Sequence, residues 1–125
     1  MALIDDVAAY LEDEGLGTVG DDIFKSYMPE TNNGTIMAVL DTGGPKPDSY
    51  LPTKEPTFQV YIRANSYTAG KTMLNSIRSA LHQVANQTIG STYFYFILAI
   101  SEGGHVGRTE NGKDEFSINF QCRTR

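Results

Sequence analysis

Gly70-Lys71-Thr72 stands between a strand-like and a helix-like run, the context in which such a tripeptide can cradle phosphate. A phosphate loop also needs a glycine five residues before Gly70, so that successive backbone amides curl around the anion. That position is Asn65, followed by Ser66, Tyr67 and Thr68. A nucleotide-hydrolysing fold would further require a parallel sheet and an acidic residue closing a second strand, and the patterns below supply neither. A small nucleotide-binding enzyme is therefore a remote reading; Asn65 or Ser66 acting as an ordinary helix N-cap is the simpler one.

The other reactive side chains are equally short of partners. His82 falls on a helix beside Gln83 and Arg78, and His105 falls in a glycine-rich turn. Neither has a carboxylate or second histidine at metal-ligand spacing, so both read as solvated. Asp5, Asp6, Glu12, Glu14, Asp21 and Asp22 occupy a helix's first turn, its exposed face or a turn, and no activated nucleophile accompanies them. Cys122, the only cysteine, alternates inward with Phe116, Ile118 and Phe120 as a small hydrophobe. A disulfide within the chain is thereby excluded, as is a thiolate cluster for metal, and a reducing environment fits. No catalytic, metal-binding or cofactor-binding set emerges, and the chain is not expected to be an enzyme.

The 125 residues suffice for one domain, expected over 1–125, with a single core. Hydrophobic residues make up 40% and charged residues 20%, and no run of eighteen apolar residues occurs, so a soluble globular protein without a membrane span is expected. The opening Met1-Ala2-Leu3-Ile4-Asp5-Asp6 is acidic where an export signal is basic. Fifteen acidic against ten basic side chains give a formal net charge of −5, with the bases scattered, so tight binding to nucleic-acid phosphates is not expected.

The elements that would position these residues follow from periodicity. Leu3, Ile4, Val7, Ala8 and Leu11 share one helical face until Gly15 and Gly17 end the pattern. The runs Asp22 to Met28 and Thr35 to Asp41 read as adjacent strands, with a hairpin across Thr31-Asn32-Asn33-Gly34 as one way to pair them. Thr42 to Pro56, with Pro45, Pro47, Pro52 and Pro56, is a long loop. In Thr57 to Ala64, Phe58, Val60, Ile62 and Ala64 alternate with Thr57, Gln59, Tyr61 and Arg63, as in a strand covered on one side.

Thr68 to Gln87 carries Met73, Leu74, Ile77, Leu81, Val84 and Ala85 at helical spacing and predicts a long helix lying on the sheet. Tyr93 to Ile100 is apolar and aromatic throughout, as in a central strand buried on both faces or half covered by a neighbouring subunit. A polar stretch from Glu102 to Asp114 leads to a last alternating strand, predicting a terminal hairpin with a long tip. The expected fold is α+β: a mostly antiparallel sheet of about five strands with two helices on one face, in the order α-β-β-β-α-β-β.

Two segments carry a resemblance to a known family. Tyr61-Ile62-Arg63-Ala64-Asn65-Ser66-Tyr67 leads into the long helix, and Gly107-Arg108-Thr109-Glu110-Asn111-Gly112-Lys113 leads into Phe116-Ser117-Ile118-Asn119-Phe120. Together they resemble the minor capsid proteins of siphophages regarded as tail terminators, and the order of elements matches over nearly the whole chain. Thr109 stands where relatives would be expected to carry an acid, which weakens the case for an ion pair at that tip.

The resemblance implies a virion protein assembled in the host cytoplasm: a ring, usually a hexamer, that caps the tail-tube protein and offers a docking surface to the head connector or stopper. A head-completion adaptor is the alternative. The resemblance implies no cofactor, and DNA would pass the lumen of such a ring without sticking to its acidic wall.

The residues suited to contacts between subunits are those on exposed strand faces: Thr57, Gln59, Tyr61, Arg63, Ser117, Asn119, Gln121 and Arg123. Tyr50, Leu51 and Lys54 in the Pro-rich loop, and His105, Arg108, Glu110 and Lys113 at the tip, are candidates for contacts to neighbouring rings or the connector. Tyr61, Tyr67 and either Tyr93 or Phe94 are expected to remain on exposed faces.

Overall fold

The computed structural model describes residues 3–25, 35–43, 55–82, 84–90, 92–100, 103–109 and 112–124. Two helices, α1 (Leu3–Asp13) and α2 (Tyr67–Leu81), pack on one face of a seven-stranded sheet. The strands are β1 (Ile23–Lys25), β2 (Ile36–Gly43), β3 (Thr57–Ala64), β4 (Val84–Ile89), β5 (Thr92–Ala99), β6 (Gly104–Arg108) and β7 (Asp114–Thr124). They lie in the order β1-β2-β3-β7-β5-β4, with β6 also paired to β7. The α+β class and the two helices on one face are as expected.

β7 is the centre of the sheet. One side of it pairs antiparallel with β3 over the full length of that strand, from Ala64↔Asp114 to Thr57↔Gln121. Its other side is divided between β6, which takes Asp114 to Ser117, and β5, which takes Phe120 to Thr124. The inward side chains of β3 and β7 meet the apolar faces of both helices in one core: Phe58, Val60, Ile62, Phe116, Ile118 and Phe120 against Val7, Leu11, Leu74 and Ile77. Strict alternation on β3 and β7 makes this unavoidable, since a register slip of one residue would turn every one of these side chains to the opposite face.

Four expectations about the elements need correction. β1 and β2 are adjacent but parallel, with Ile23↔Met37 and Lys25↔Val39, and not a hairpin. That placement sends Ile23 to the main core and Phe24 to a second cluster with Ile36 and Ala38 on the opposite face, so both apolar side chains of this short strand are buried. The long helix ends at Leu81, where His82 adopts an extended backbone and its N–H donates to the Arg78 carbonyl. Val84 to Ile89 is instead a strand, because its pairing with β5 satisfies a row of backbone groups that a longer helix would leave open.

The polar stretch expected as a long tip contains β6, which pairs antiparallel with β7. Finally, Arg63 is buried, at 9% exposure, because Ile36 of β2 and Glu115 of β7 flank it across the strands.

Candidate functional site

Gly70 has a packing role. Ser66 is the N-cap of α2, its hydroxyl accepting from the Ala69 N–H at 3.2 Å. One turn later Gly70 is buried, and a Cβ placed there would fall on the ring of Phe116. The glycine therefore lets α2 approach β7 closely, while Lys71 and Thr72 point to solvent.

Around that contact lies the first cluster of functional candidates, at the end of the β6–β7 hairpin. Tyr67 meets His105 and Phe116 at 5.4 Å each, and the His105 and Phe116 rings lie 5.1 Å apart. His105 Nε2 is 2.9 Å from Asp114 Oδ1, and the Arg108 guanidinium donates to Asp114 Oδ2 at 3.4 Å. The hydrogen bond from His105 is the main reason the Asp114 carboxyl is held below its ordinary range; burial opposes the shift and Arg108 adds to it. His105 is exposed, as expected, and is also tied to a carboxylate. Sequence spacing could not show it, because the pair is made by strand register.

The tip itself closes through Thr109, whose N–H donates to the Lys113 carbonyl at 2.7 Å and whose hydroxyl accepts from the Lys113 N–H at 3.0 Å. Lys113 Nζ reaches back to Asn65 Oδ1, bracing the hairpin against the β3–α2 corner.

The second cluster is the sheet face away from the helices. Its rows run across the strands: Leu40, Gln59 and Asn119; Ala38, Tyr61 and Ser117; Thr57, Gln121 and Leu98; Arg123 beside Phe96. Gln59, Tyr61, Ser117, Asn119 and Gln121 are half-buried, and Arg123 is exposed, paired with Glu55 and 5.8 Å over the Phe96 ring. Burial and then the Glu115 carboxylate push the Tyr61 phenol above its ordinary range. The face is uncovered where β5 crosses it: Leu98 is 39% and Ile100 56% exposed.

The model of the bacteriophage tail terminator protein family matches residues 10–125. The chain belongs to the bacteriophage tail terminator family. It is accordingly a structural protein of the phage tail. Among solved structures, a chain from the virion of a native gene transfer agent particle is similar in fold. Its TM-score is 0.71 at 13% identity, and the match covers 98% of this chain and 94% of that one. No curated protein matches by sequence.

In this tail terminator family member, the candidates named from sequence divide between the two clusters. Thr57, Gln59, Tyr61, Ser117, Asn119, Gln121 and Arg123 share the outer face as expected. His105, Arg108 and Lys113 gather at the hairpin end instead. Tyr50, Leu51, Lys54 and Glu110 lie outside the described residues. Tyr67 is 52% exposed, whereas Phe94 is buried and Tyr93 half-buried.

The exposed apolar group of Leu98, Ile100 and Val106 was not singled out residue by residue. The unbroken apolar run from Tyr93 to Ile100 signals Leu98 and Ile100, while Val106 stands outside it.

Other candidate chemistry stays bland. Asp6, expected on the surface, is buried, and accepts from the Thr92 hydroxyl beside Gly90, which ties α1 to the β4–β5 turn. Desolvation pushes the Cys122 thiol up to about 12, so it is not a nucleophile at neutral pH. Among the described residues no group of three His, Cys, Asp or Glu could hold a metal ion. No helix among them is long and apolar enough to cross a membrane.

Proposed function

We propose that the chain, acting as one domain over residues 1–125, forms a hexameric ring at the head-proximal end of a phage tail tube. The ring stops addition of tube subunits and offers the docking surface for the head connector. It does so by contact alone, without catalysis or cofactor, in particles assembled in the host cytoplasm, and DNA passes its lumen without tight binding.

The observation that carries this reading is the open outer face, found in a member of the tail terminator family. Half-buried amides and hydroxyls lie there beside exposed Leu98 and Ile100, the mixture of apolar core and hydrogen-bonding rim that protein interfaces use. A ring that also meets a tube and a connector needs patches of different character on each subunit, and here the outer face and the hairpin end are chemically distinct. The net charge of −5 suits a wall past which DNA slides.

The test is to mix labelled protein with polymerising tail-tube subunits and follow tube length by electron microscopy. Arrested growth with label at one tube end is the expected result. Continued growth with unlabelled ends would overturn termination and favour a head-side adaptor.

A further inference from the structure

We infer that the ring closes by packing the β6 edge of one copy against the acidic α1–β1 turn of the next, an inference that rests on the ring reading above. Leu98, Ile100 and Val106, the last 55% exposed, lie within one stretch of chain and make up most of the exposed large hydrophobics among the described residues. β4 covers β5 only as far as Ile97. Beyond it the Ala99 N–H is taken by His82 Nδ1 at 3.1 Å, and β6, among the described residues, has a strand partner on its β7 side alone. Nothing lies within 4 Å of the Cβ positions of Gly104 and Gly107, so this edge is open to a flat neighbour. Its charged side chains, His105 and Arg108, both pair with Asp114; that carboxylate is 4% exposed and Arg108 66%, so the guanidinium is the charge this edge presents to solvent.

The opposite border of the sheet has the complementary character. Apart from the buried Asp6, the acids Asp5, Glu12, Asp13, Glu14, Asp21 and Asp22 precede the first base, Lys25, which is itself bound to Asp5 at 2.9 Å. Glu12, Asp13, Glu14 and Asp21 are exposed around the turn, with half-buried Leu16 and Val19 between them.

The two borders also stand at the same level. Ile23 pairs with Met37, the neighbouring Ile36 pairs with Arg63, Arg63 with Glu115, and Glu115 with Gly107 of β6. Opposite charges at opposite borders of one sheet give a head-to-tail contact that repeats around a ring, and they oppose a contact of either border with its own copy.

Cysteine cross-linking tests this cleanly, because native Cys122 is buried. Val106→Cys is combined with Asp13→Cys or, separately, with Asp21→Cys, and each protein is oxidised on capped tubes after circular dichroism has shown that it folds. The expected result is a disulfide ladder of up to six rungs from at least one double variant, and none from any single variant. Dimers from Val106→Cys alone, or tube arrest with no ladder from either folded double variant, would overturn this contact while leaving termination intact. Failure of the unmodified protein to arrest growth would overturn the ring reading and this contact with it.

Discussion

β7 carries two surfaces on one strand. Phe116, Ile118, Phe120 and Cys122 point to the helices and are fully buried, whereas Ser117, Asn119 and Gln121 point away and stay half-buried, with Arg123 exposed. The inner row is filled by α1, α2 and the aromatic stack of Phe58 on Phe120, 5.1 Å between centroids. The outer row meets neighbouring strands sideways, on the face where Leu98 and Ile100 stay exposed. Burial of apolar area makes the first row responsible for folding; the second, costing little to leave in water, is available for assembly.

The sharpest way to break that contrast is Phe120→Ala. Removing a fully buried ring is expected to cost about 3–5 kcal/mol, through lost transfer energy and the cavity left behind, and urea unfolding measures it. A loss under about 1 kcal/mol would show that the inner row is not the source of stability.

Gly70→Ala tests the same face at the closest approach of helix and sheet. Alanine should gain about 0.5–1 kcal/mol from helix propensity. Overpacking against Phe116 should cost about 1–3 kcal/mol, so net destabilisation in thermal unfolding is expected. A more stable variant would remove the packing explanation of this glycine. Lys71→Ala, one residue on and exposed, serves as the neutral control.

The smallest expected change in stability is on the outer row. Asn119→Ala and Gln121→Ala should each shift stability by no more than about 0.5 kcal/mol, yet both should weaken arrest of tube growth. Unaltered arrest would mean that the outer row is only solvated surface.

Much of this was legible in advance. Strict alternation marked β3 and the inner half of β7 residue by residue, and a three-four apolar spacing marked α1 and most of α2. Legibility failed where one pattern served two structures. Val84 and Ala85 continue the helical stripe of α2, but the row of backbone groups on β5 decided for a strand. Nothing local distinguished a parallel β1 from a hairpin, because three residues have no directional pattern of their own. The outer-face candidates were readable because alternation names both faces of a strand, while the gathering of Tyr67, His105, Arg108 and Asp114 depended on the register of β6 with β7, strands far from α2 in sequence.

Sequence by itself determined most of the apolar side chains that leave water: the periodicity of apolar residues and an inward Cys122 follow from local spacing and the cost of exposing hydrocarbon, and a cap at Asn65 or Ser66 was marked in the same way. Only the tertiary structure decided which of the remaining groups meet. Asp6 became buried under the β4–β5 turn, Arg63 was flanked by Ile36 and Glu115, and the acidic α1–β1 turn and the β6 edge came to stand at opposite borders of one sheet. The reason is that strand order is a long-range choice, made by the summed pairing and packing of β7 with its neighbours, and no local stretch of residues encodes it.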